Sequence, residues 1–164
     1  MDPDAILAAL DEQQRVSDAE PRQEQERVSY LAFHLGAEVY GLPLEQLREV
    51  ARVSHLRRVP GAPPGVAGLV NLRGEILCAL DVRAILGLPP QRSTDSPFLI
   101  ALRGMGDPLG LIVDSIADIY SVAPGDIEAP PATWPAARAA YFVGTARVAA
   151  GLMGLLDLAR VTKV

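Results

Sequence analysis

Side chains that could do chemistry are few and scattered in this sequence. It has only two histidines, His34 and His55, and its single cysteine, Cys78, has no second cysteine to pair with. No Cys or His pair has metal-site spacing, and no glycine-rich phosphate loop is present. His34 alternates with apolar neighbours, which predicts a place in a barrel wall, and Cys78 is expected to be a small core residue. An enzyme would need convergent titratable groups, so we expect no catalytic residue, metal or cofactor.

A cluster of basic residues raises the alternative that the protein is a nucleic-acid-binding barrel. Binding of that kind would weaken steeply with salt. The cluster has no interleaved aromatic residues, and Glu45 and Glu49 dilute its charge. We therefore favour a solvated, partly paired face and expect no nucleic-acid partner. The cluster consists of Arg48, Arg52, Arg57 and Arg58 together with His55.

The most informative stretch is residues 65–87, because it holds two opposite charges, Arg73 and Glu75, between two apolar runs. Two apolar runs of strand length, residues 67–72 and 76–80, flank Arg73, Gly74 and Glu75. Gly74 can take the positive φ that a tight reversal needs. The pattern predicts a β-hairpin with Arg73 and Glu75 at its tip. Because strand side chains alternate, Asn71 should share a face with Arg73.

A short helix is expected directly after this hairpin. Asp81 closes the second strand and suits the N-cap of a helix over Val82–Leu86. Gly87 and Pro89 should end that helix. Polar residues would then surround a strongly apolar hairpin, an arrangement suited to binding.

The net charge of −5 lies entirely in the N-terminal region. Residues 1–27 contain eight acidic residues and three arginines, so their balance of −5 equals that of the whole chain. The remainder is neutral overall, which argues against broad binding to nucleic acid or to an anionic membrane. No apolar run approaches the ~18 residues of a membrane span, and the acidic start lacks the basic region of a signal peptide. The lone cysteine suits a reducing cytoplasm.

The chain is expected to divide into an acidic N-terminal extension with linker, residues 1–27, and a folded domain, residues 28–164. In the extension, Ile6, Leu7 and Leu10 could line one side of a short helix. Short isolated helices are marginal in water, so a frayed tail is favoured over a partner-docking helix. We therefore expect removal of the extension to leave the folded domain stable.

The folded domain is predicted to be mainly β. About ten short apolar segments are separated by Gly and Pro turn signals, with few helical patterns between them. This is typical of a β-barrel or a pair of barrels.

The order of motifs resembles the chemotaxis coupling protein family, the CheW-like domains, over about residues 28–161. One departure is Cys78-Ala79, where the family often has Pro-Val; we expect it to alter local packing rather than the surface. The residues that carry the resemblance are 33–36 (FHLG), 40–43 (YGLP), Glu49-Val50, Val59-Pro60, 68–74 (GLVNLRG), 80–83 (LDVR), 110–116 (GLIVDSI) and 155–158 (LLDL).

The resemblance implies two SH3-like five-stranded β-barrels that share a hydrophobic core, with short helices. It implies a non-catalytic adaptor that couples chemoreceptors to a chemotaxis histidine kinase in the cytoplasm, at chemoreceptor arrays. The groove between the lobes would take the receptor's cytoplasmic tip, and the lobe ends would take the kinase regulatory domain. Contact with the membrane would be only indirect, through the receptors. A paralogue serving a non-flagellar array is an open alternative.

The resemblance also implies which residues act. Glu49 and Arg73 match the family positions that serve signalling and receptor coupling. Without the resemblance, the pair would be interpreted as an exposed ion pair worth ~0–1 kcal/mol. The neighbouring positions that match are Leu47, Val50 and Gly68, and the hairpin motif itself comprises Asn71, Leu72, Gly74, Asp81 and Arg83.

Overall fold

A computed structural model describes residues 3–10, 26–90 and 96–163 and contains ten strands and four short helices within them. Single 3₁₀ turns lie at Leu44–Gln46 and Pro124–Asp126. The strands are β1 (Val28–Leu35), β2 (Glu38–Pro43), β3 (Leu47–Arg52), β4 (Val66–Leu72), β5 (Glu75–Asp81), β6 (Phe98–Leu102), β7 (Leu109–Val113), β8 (Ser115–Val122), β9 (Phe142–Val148) and β10 (Gly151–Leu156). The helices are α1 (residues 3–10), α2 (Val82–Leu86), α3 (Ala136–Ala139) and α4 (Leu158–Val161).

The strands form two five-stranded sheets, which we call lobe 1 and lobe 2. Lobe 1 has the strand order β8-β1-β2-β10-β9, and lobe 2 has the order β3-β6-β7-β5-β4. Each sheet contains one parallel pair, β2 with β10 and β5 with β7, and its other pairs are antiparallel. The expected mainly-β architecture of two five-stranded lobes is thus confirmed.

A short backbone bridge closes each sheet. In lobe 2, Arg57 N donates to Leu69 O at 2.9 Å and Leu69 N donates to Arg57 O at 2.8 Å. Gly68 permits this approach, because a Cβ there would lie 2.4 Å from the Arg57 carbonyl oxygen. In lobe 1, Glu128 and Thr145 form the same kind of bridge, with distances of 2.8 and 2.7 Å.

The two lobes repeat one pairing register. In lobe 2 the β4–β5 hairpin has a register shift between Val66 and Gly68. In lobe 1 the β9–β10 hairpin has the same shift between Phe142 and Gly144. Each residue of the second pair lies 76 positions after its counterpart in the first (142 − 66 and 144 − 68). The β3–β6 pairing has a register shift between Leu47 and Glu49. The β8–β1 pairing has a register shift at the corresponding positions of β8, which lie 69 residues after those of β3. The corresponding Cα pairs are Leu47–Leu102 with Ile116–Phe33, and Glu49–Ala101 with Asp118–Ala32.

Each lobe combines strands from both halves of the chain. Lobe 1 combines β1 and β2 with β8, β9 and β10, whereas lobe 2 combines β3, β4 and β5 with β6 and β7. Neither half alone contains all five strands of a barrel. The folded domain is therefore one interlocked unit rather than two separable barrels.

A shared apolar core joins the lobes. It takes Leu31 and Phe33 from lobe 1 and Leu80, Ile100 and Leu111 from lobe 2, all fully buried or nearly so. Each lobe also holds a smaller cluster of its own. Burial of mainly aliphatic side chains on both sides of the junction stabilises the interlocked arrangement.

Helix α1 packs onto this shared core. Ile6 is fully buried, Leu10 is nearly so, and Leu7 is half-buried. The favoured expectation of a frayed tail is therefore wrong for residues 3–10, because the core supplies the tertiary contacts that an isolated short helix lacks. The expected linker over residues 11–25 lies outside the described residues, and the boundary at Val28 stays a prediction.

The burial of Ile6 generates a stability prediction. Ile6→Ala should lower the free energy of unfolding by about 2 kcal/mol, because it removes buried methyl groups and leaves a cavity. Ala8 is exposed on the same helix, so Ala8→Gln serves as the control and should be neutral. Urea unfolding of the full chain measures both. An unchanged midpoint for Ile6→Ala would show that α1 adds nothing to the core.

Candidate functional site

The β4–β5 turn places Arg73 in an unusual backbone conformation. Register pairs Leu72 with Glu75, so the turn consists of Arg73 and Gly74 alone. Both have positive φ, +52° and +87°, as a type I′ turn requires. Gly74 was expected to do so; Arg73 is the only non-glycine residue with positive φ among the described residues. Asn71 Oδ1 accepts a hydrogen bond from Gly74 N at 2.9 Å and secures the turn.

Four charged residues meet where the two edges of lobe 2 approach each other, and we call them the charge cluster. Arg73 Nη2 lies 2.9 Å from Glu49 Oε2, and Arg48 Nη1 lies 2.5 Å from Glu75 Oε1. Arg48 Nη2 is also 3.6 Å from Glu49 Oε1. Because β3 and β4 are opposite edges of the sheet, the cluster spans the seam of the barrel with alternating charges.

Burial within the charge cluster is very uneven. The Glu49 side chain is only 9% exposed, whereas the Arg73 side chain is 70% exposed. Glu49 Oε2 accepts no hydrogen bond from the described residues, so its attraction to Arg73 is ionic. The pair is therefore not the exposed surface pair of the alternative interpretation. A buried carboxylate is expensive to leave unpaired, which fixes the position of its partner guanidinium.

Lobe 1 shows what the same structure looks like without the charge cluster. The register places Asp118 at the position of Glu49 and Ala149 at the position of Arg73. Asp118 Oδ1 accepts a hydrogen bond from Ile119 N at 2.7 Å, and no ion pair of Asp118 is present among the described residues. A closed five-stranded lobe therefore does not require the charge cluster.

The predicted neighbours of Glu49 lie in the interior. Leu47 is fully buried and Val50 is 2% exposed, so both side chains belong to the shared core. Gly68 is buried at the seam, where its missing side chain allows the closing bridge. The structure brings these residues close to Glu49 in the fold, but it leaves only Arg73 of the five coupling positions exposed to solvent.

The remaining motif residues shape the hairpin and join the lobes. Asp81 caps α2 as predicted, accepting from Ala84 N at 3.3 Å. Leu72 is half-buried beside the turn. Arg83 Nη2 lies 2.5 Å from Asp114 Oδ2, which also accepts from Gly36 N at 2.6 Å. This largely buried ion pair connects α2 to the β1–β2 turn of lobe 1.

Sequence reasoning missed one exposed apolar residue beside the charge cluster. Ile76 is 51% exposed and pairs across the hairpin with exposed Asn71. The run 76–80 had been expected to be a uniformly apolar strand. The register of the predicted hairpin could have shown that Ile76 is exposed, because a residue directly opposite an exposed asparagine lies on the same exposed face. The equivalent residue in lobe 1, Leu152, is also exposed, at 37%.

The residues without an expected role behave accordingly. His34 is half-buried in β1, opposite Val39. Burial raises the pKa of the Cys78 thiol, which lowers its thiolate fraction and its reactivity near neutral pH. The described part of the chain contains no group of three or more side chains that could hold a metal ion. Among the same residues, no helix is long and apolar enough to cross a membrane.

Two interlocked SH3-like barrels with a charged hairpin tip define a binding scaffold of the two-barrel class. Residues 29–164 match the CheW-like domain family, and the chain belongs to that family. A chemotaxis protein CheW from Treponema pallidum is 30% identical over 137 residues, covering 81% of each chain. Protein FrzA from Myxococcus xanthus is 28% identical, covering 80% of this chain and 74% of that protein.

A solved structure has the same fold. The scaffolding protein TtCheW from Thermoanaerobacter tengcongensis superposes with a TM-score of 0.77 at 23% identity, covering 88% of this chain and 94% of that chain. Proteins of the CheW-like family are non-catalytic scaffolds that couple chemoreceptors to a chemotaxis histidine kinase. The family and function expected from the sequence motifs are thus confirmed.

The close approach at Gly68 generates a second prediction. Gly68→Ala should lower the free energy of unfolding by about 3 kcal/mol or more, because the new Cβ would collide with the Arg57 backbone and break the closing bridge. Gly125→Ala is the control, since a Cβ there meets nothing within 4 Å. Thermal unfolding compares the two. Wild-type stability for Gly68→Ala would show that the seam tolerates a side chain.

Proposed function

We propose that this chain couples a chemoreceptor to a chemotaxis histidine kinase in the cytoplasm, and that the charge cluster contacts the receptor's cytoplasmic tip. One observation carries the assignment of the site. Arg73 presents an exposed guanidinium from a left-handed backbone, held in place by the buried carboxylate of Glu49. The kinase regulatory domain would bind at the lobe ends, and contact with the membrane would be only indirect, through the receptor.

The cost of the charge cluster to the fold supports a binding role. A non-glycine residue in the left-handed region loses about 1–2 kcal/mol relative to a right-handed conformation, and glycine at position 73 would avoid this. Burial of Glu49 adds a desolvation penalty. The equivalent positions of lobe 1, Asp118 and Ala149, carry neither feature. Strained and costly features that a fold does not need are typical of functional sites.

The surroundings of Arg73 suit a protein partner. Ile76 offers exposed apolar area, while Asn71 and Glu75 offer polar groups on the same tip. Apolar area contributes affinity, and fixed charges contribute orientation and selectivity. Leu47 and Val50 would act indirectly, by holding β3 and thereby Glu49 in place. Gly68 would act through closure of the seam.

The nucleic-acid alternative loses much of its support from the arginine cluster. Arg48 is engaged by two carboxylates. The Arg52 guanidinium lies 4.7 Å from the centre of the Phe98 ring, a cation–π contact. Two of the four arginines are therefore occupied within the protein, and too few remain for a phosphate-tracking surface.

Replacement of Arg73 tests the site. Arg73→Asn removes the charge but suits the left-handed backbone. The stability lost when the buried Glu49 carboxylate keeps only Arg48, at 3.6 Å, should be offset in part by about 1–2 kcal/mol of relieved strain. Binding to a receptor cytoplasmic fragment should weaken thirtyfold or more, since an interfacial charge pair is worth about 2–5 kcal/mol. Calorimetric titration with the receptor fragment, and separately with the kinase regulatory domain, measures the effect.

Arg73→Lys is the matched control, because it keeps the charge and the backbone strain. It should retain more receptor binding than Arg73→Asn, and both variants should keep kinase binding. Arg73→Glu faces the buried Glu49 carboxylate, so it should lose stability as well as receptor binding; a further Glu49→Gln change should restore stability but not receptor binding. Wild-type receptor affinity and kinase control in well-folded Arg73→Asn would remove the charge cluster from the proposed receptor surface.

A further inference from the structure

The connection between β3 and β4, residues 53–65, carries positive charge that the fold does not use. It contains His55, Arg57 and Arg58, all exposed, and no acidic residue. No described acidic side chain lies within ion-pair distance of Arg57 or Arg58. Val59, the next residue, is 41% exposed and adds an apolar contact point.

The backbone of this connection is held firmly. The closing bridge to Leu69 pins Arg57 on both its N–H and its carbonyl. Further along, Ala62 N donates to Val59 O at 3.2 Å, and Val66 N donates to Pro63 O at 2.9 Å. The arginine side chains therefore project from a fixed support, which reduces the ordering cost of binding to them.

A cavity of about 330 Å³ adjoins the connection. Its charged groups are largely engaged: Asp114 pairs with Arg83 and accepts a hydrogen bond from Gly36 N, and Asp81 caps α2. Arg58 stands at this cavity without a described acidic partner. The apolar part of the lining comes from Leu35, Leu56, Pro64, Val66 and Ile112.

The equivalent connection of lobe 1, residues 123–140, has the opposite character. It carries Asp126 and Glu128. Its Arg138 is bound to Glu38, donates to Tyr40 Oη at 2.6 Å, and stacks on Trp134 at 4.9 Å. Burial and the hydrogen bond to Glu38 raise the pKa of Tyr40, so its hydroxyl remains protonated within this network. Of the two equivalent connections, only that of lobe 2 carries exposed arginines without a described acidic partner.

We propose that the β3–β4 connection and its cavity bind an acidic segment of a partner protein, with carboxylates on Arg57 and Arg58 and an aliphatic side chain in the cavity. Charge complementarity selects the acidic partner, and the aliphatic part of the cavity lining favours a peptide side chain over a phosphate. The connection has no Phe, Tyr or Trp on which a base could stack. This surface is separate from the charge cluster at Arg73.

Titration with a short labelled peptide, a leucine flanked by pairs of glutamates, tests the proposal by fluorescence anisotropy with the full chain. The peptide should bind saturably, and the same peptide with Gln for Glu should not. The double variant Arg57→Gln, Arg58→Gln should weaken binding about tenfold, the sum of two exposed ion pairs. The matched control, Arg147→Gln with Arg160→Gln, removes two exposed arginines elsewhere and should change binding less than twofold.

Three results would overturn the proposal. Absence of saturable binding at millimolar peptide would show that the surface takes no acidic segment of this kind. An equal loss in the Arg147 and Arg160 control would reduce the effect to general electrostatics. Tighter binding of a single-stranded oligonucleotide, or of vesicles containing anionic lipid, that is lost in the Arg57 and Arg58 variant would assign the surface to a different class of ligand.

Discussion

Closure of each lobe between its two edge strands is the constraint on which the rest of the structure depends. The edge strands that meet, β3 with β4 and β8 with β9, are consecutive in the chain but lie at opposite ends of their five-stranded sheets. Closure in lobe 2 brings Arg57 against Gly68 and, at the charge cluster, Glu49 against Arg73. The placement of the buried carboxylate under the hairpin tip thus follows from closure of the lobe at this seam.

The repeated register separates what the fold requires from what function has added. Both lobes share the glycines at the seam, the register shift beside them and the aspartate caps of the helices that follow, at Asp81 and Asp157. Closure and helix initiation explain these shared features. The features found in one lobe only, the ion pairs of Glu49 and the free arginines at 57 and 58, need another explanation. Partner binding is one such explanation, because the family's scaffold function requires it.

Local signals in the sequence predicted local structure well. The turn at Arg73-Gly74 and the cap at Asp81 depend on neighbouring residues and were confirmed. Burial of Glu49 and docking of Ile6 depend on contacts distant in sequence, which periodicity cannot report. The internal repeat was visible but missed: residues 41–50 (GLPLEQLREV) align without a gap with residues 110–119 (GLIVDSIADI). Matching these segments would have placed Glu49 and Asp118 at equivalent positions.

Preorganisation is what the charge cluster would contribute to the proposed receptor contact. A flexible, fully exposed ion pair would have to be ordered by the partner, and side-chain ordering costs about 0.5–1.5 kcal/mol per residue. Here the Glu49 carboxylate is fixed by burial, and the turn hydrogen bond from Gly74 to Asn71 fixes the backbone of Arg73. The guanidinium is therefore oriented while most of its surface stays accessible. At the proposed site a partner carboxylate would gain the charge interaction without that ordering cost, which the alanine at the equivalent position of lobe 1 cannot offer.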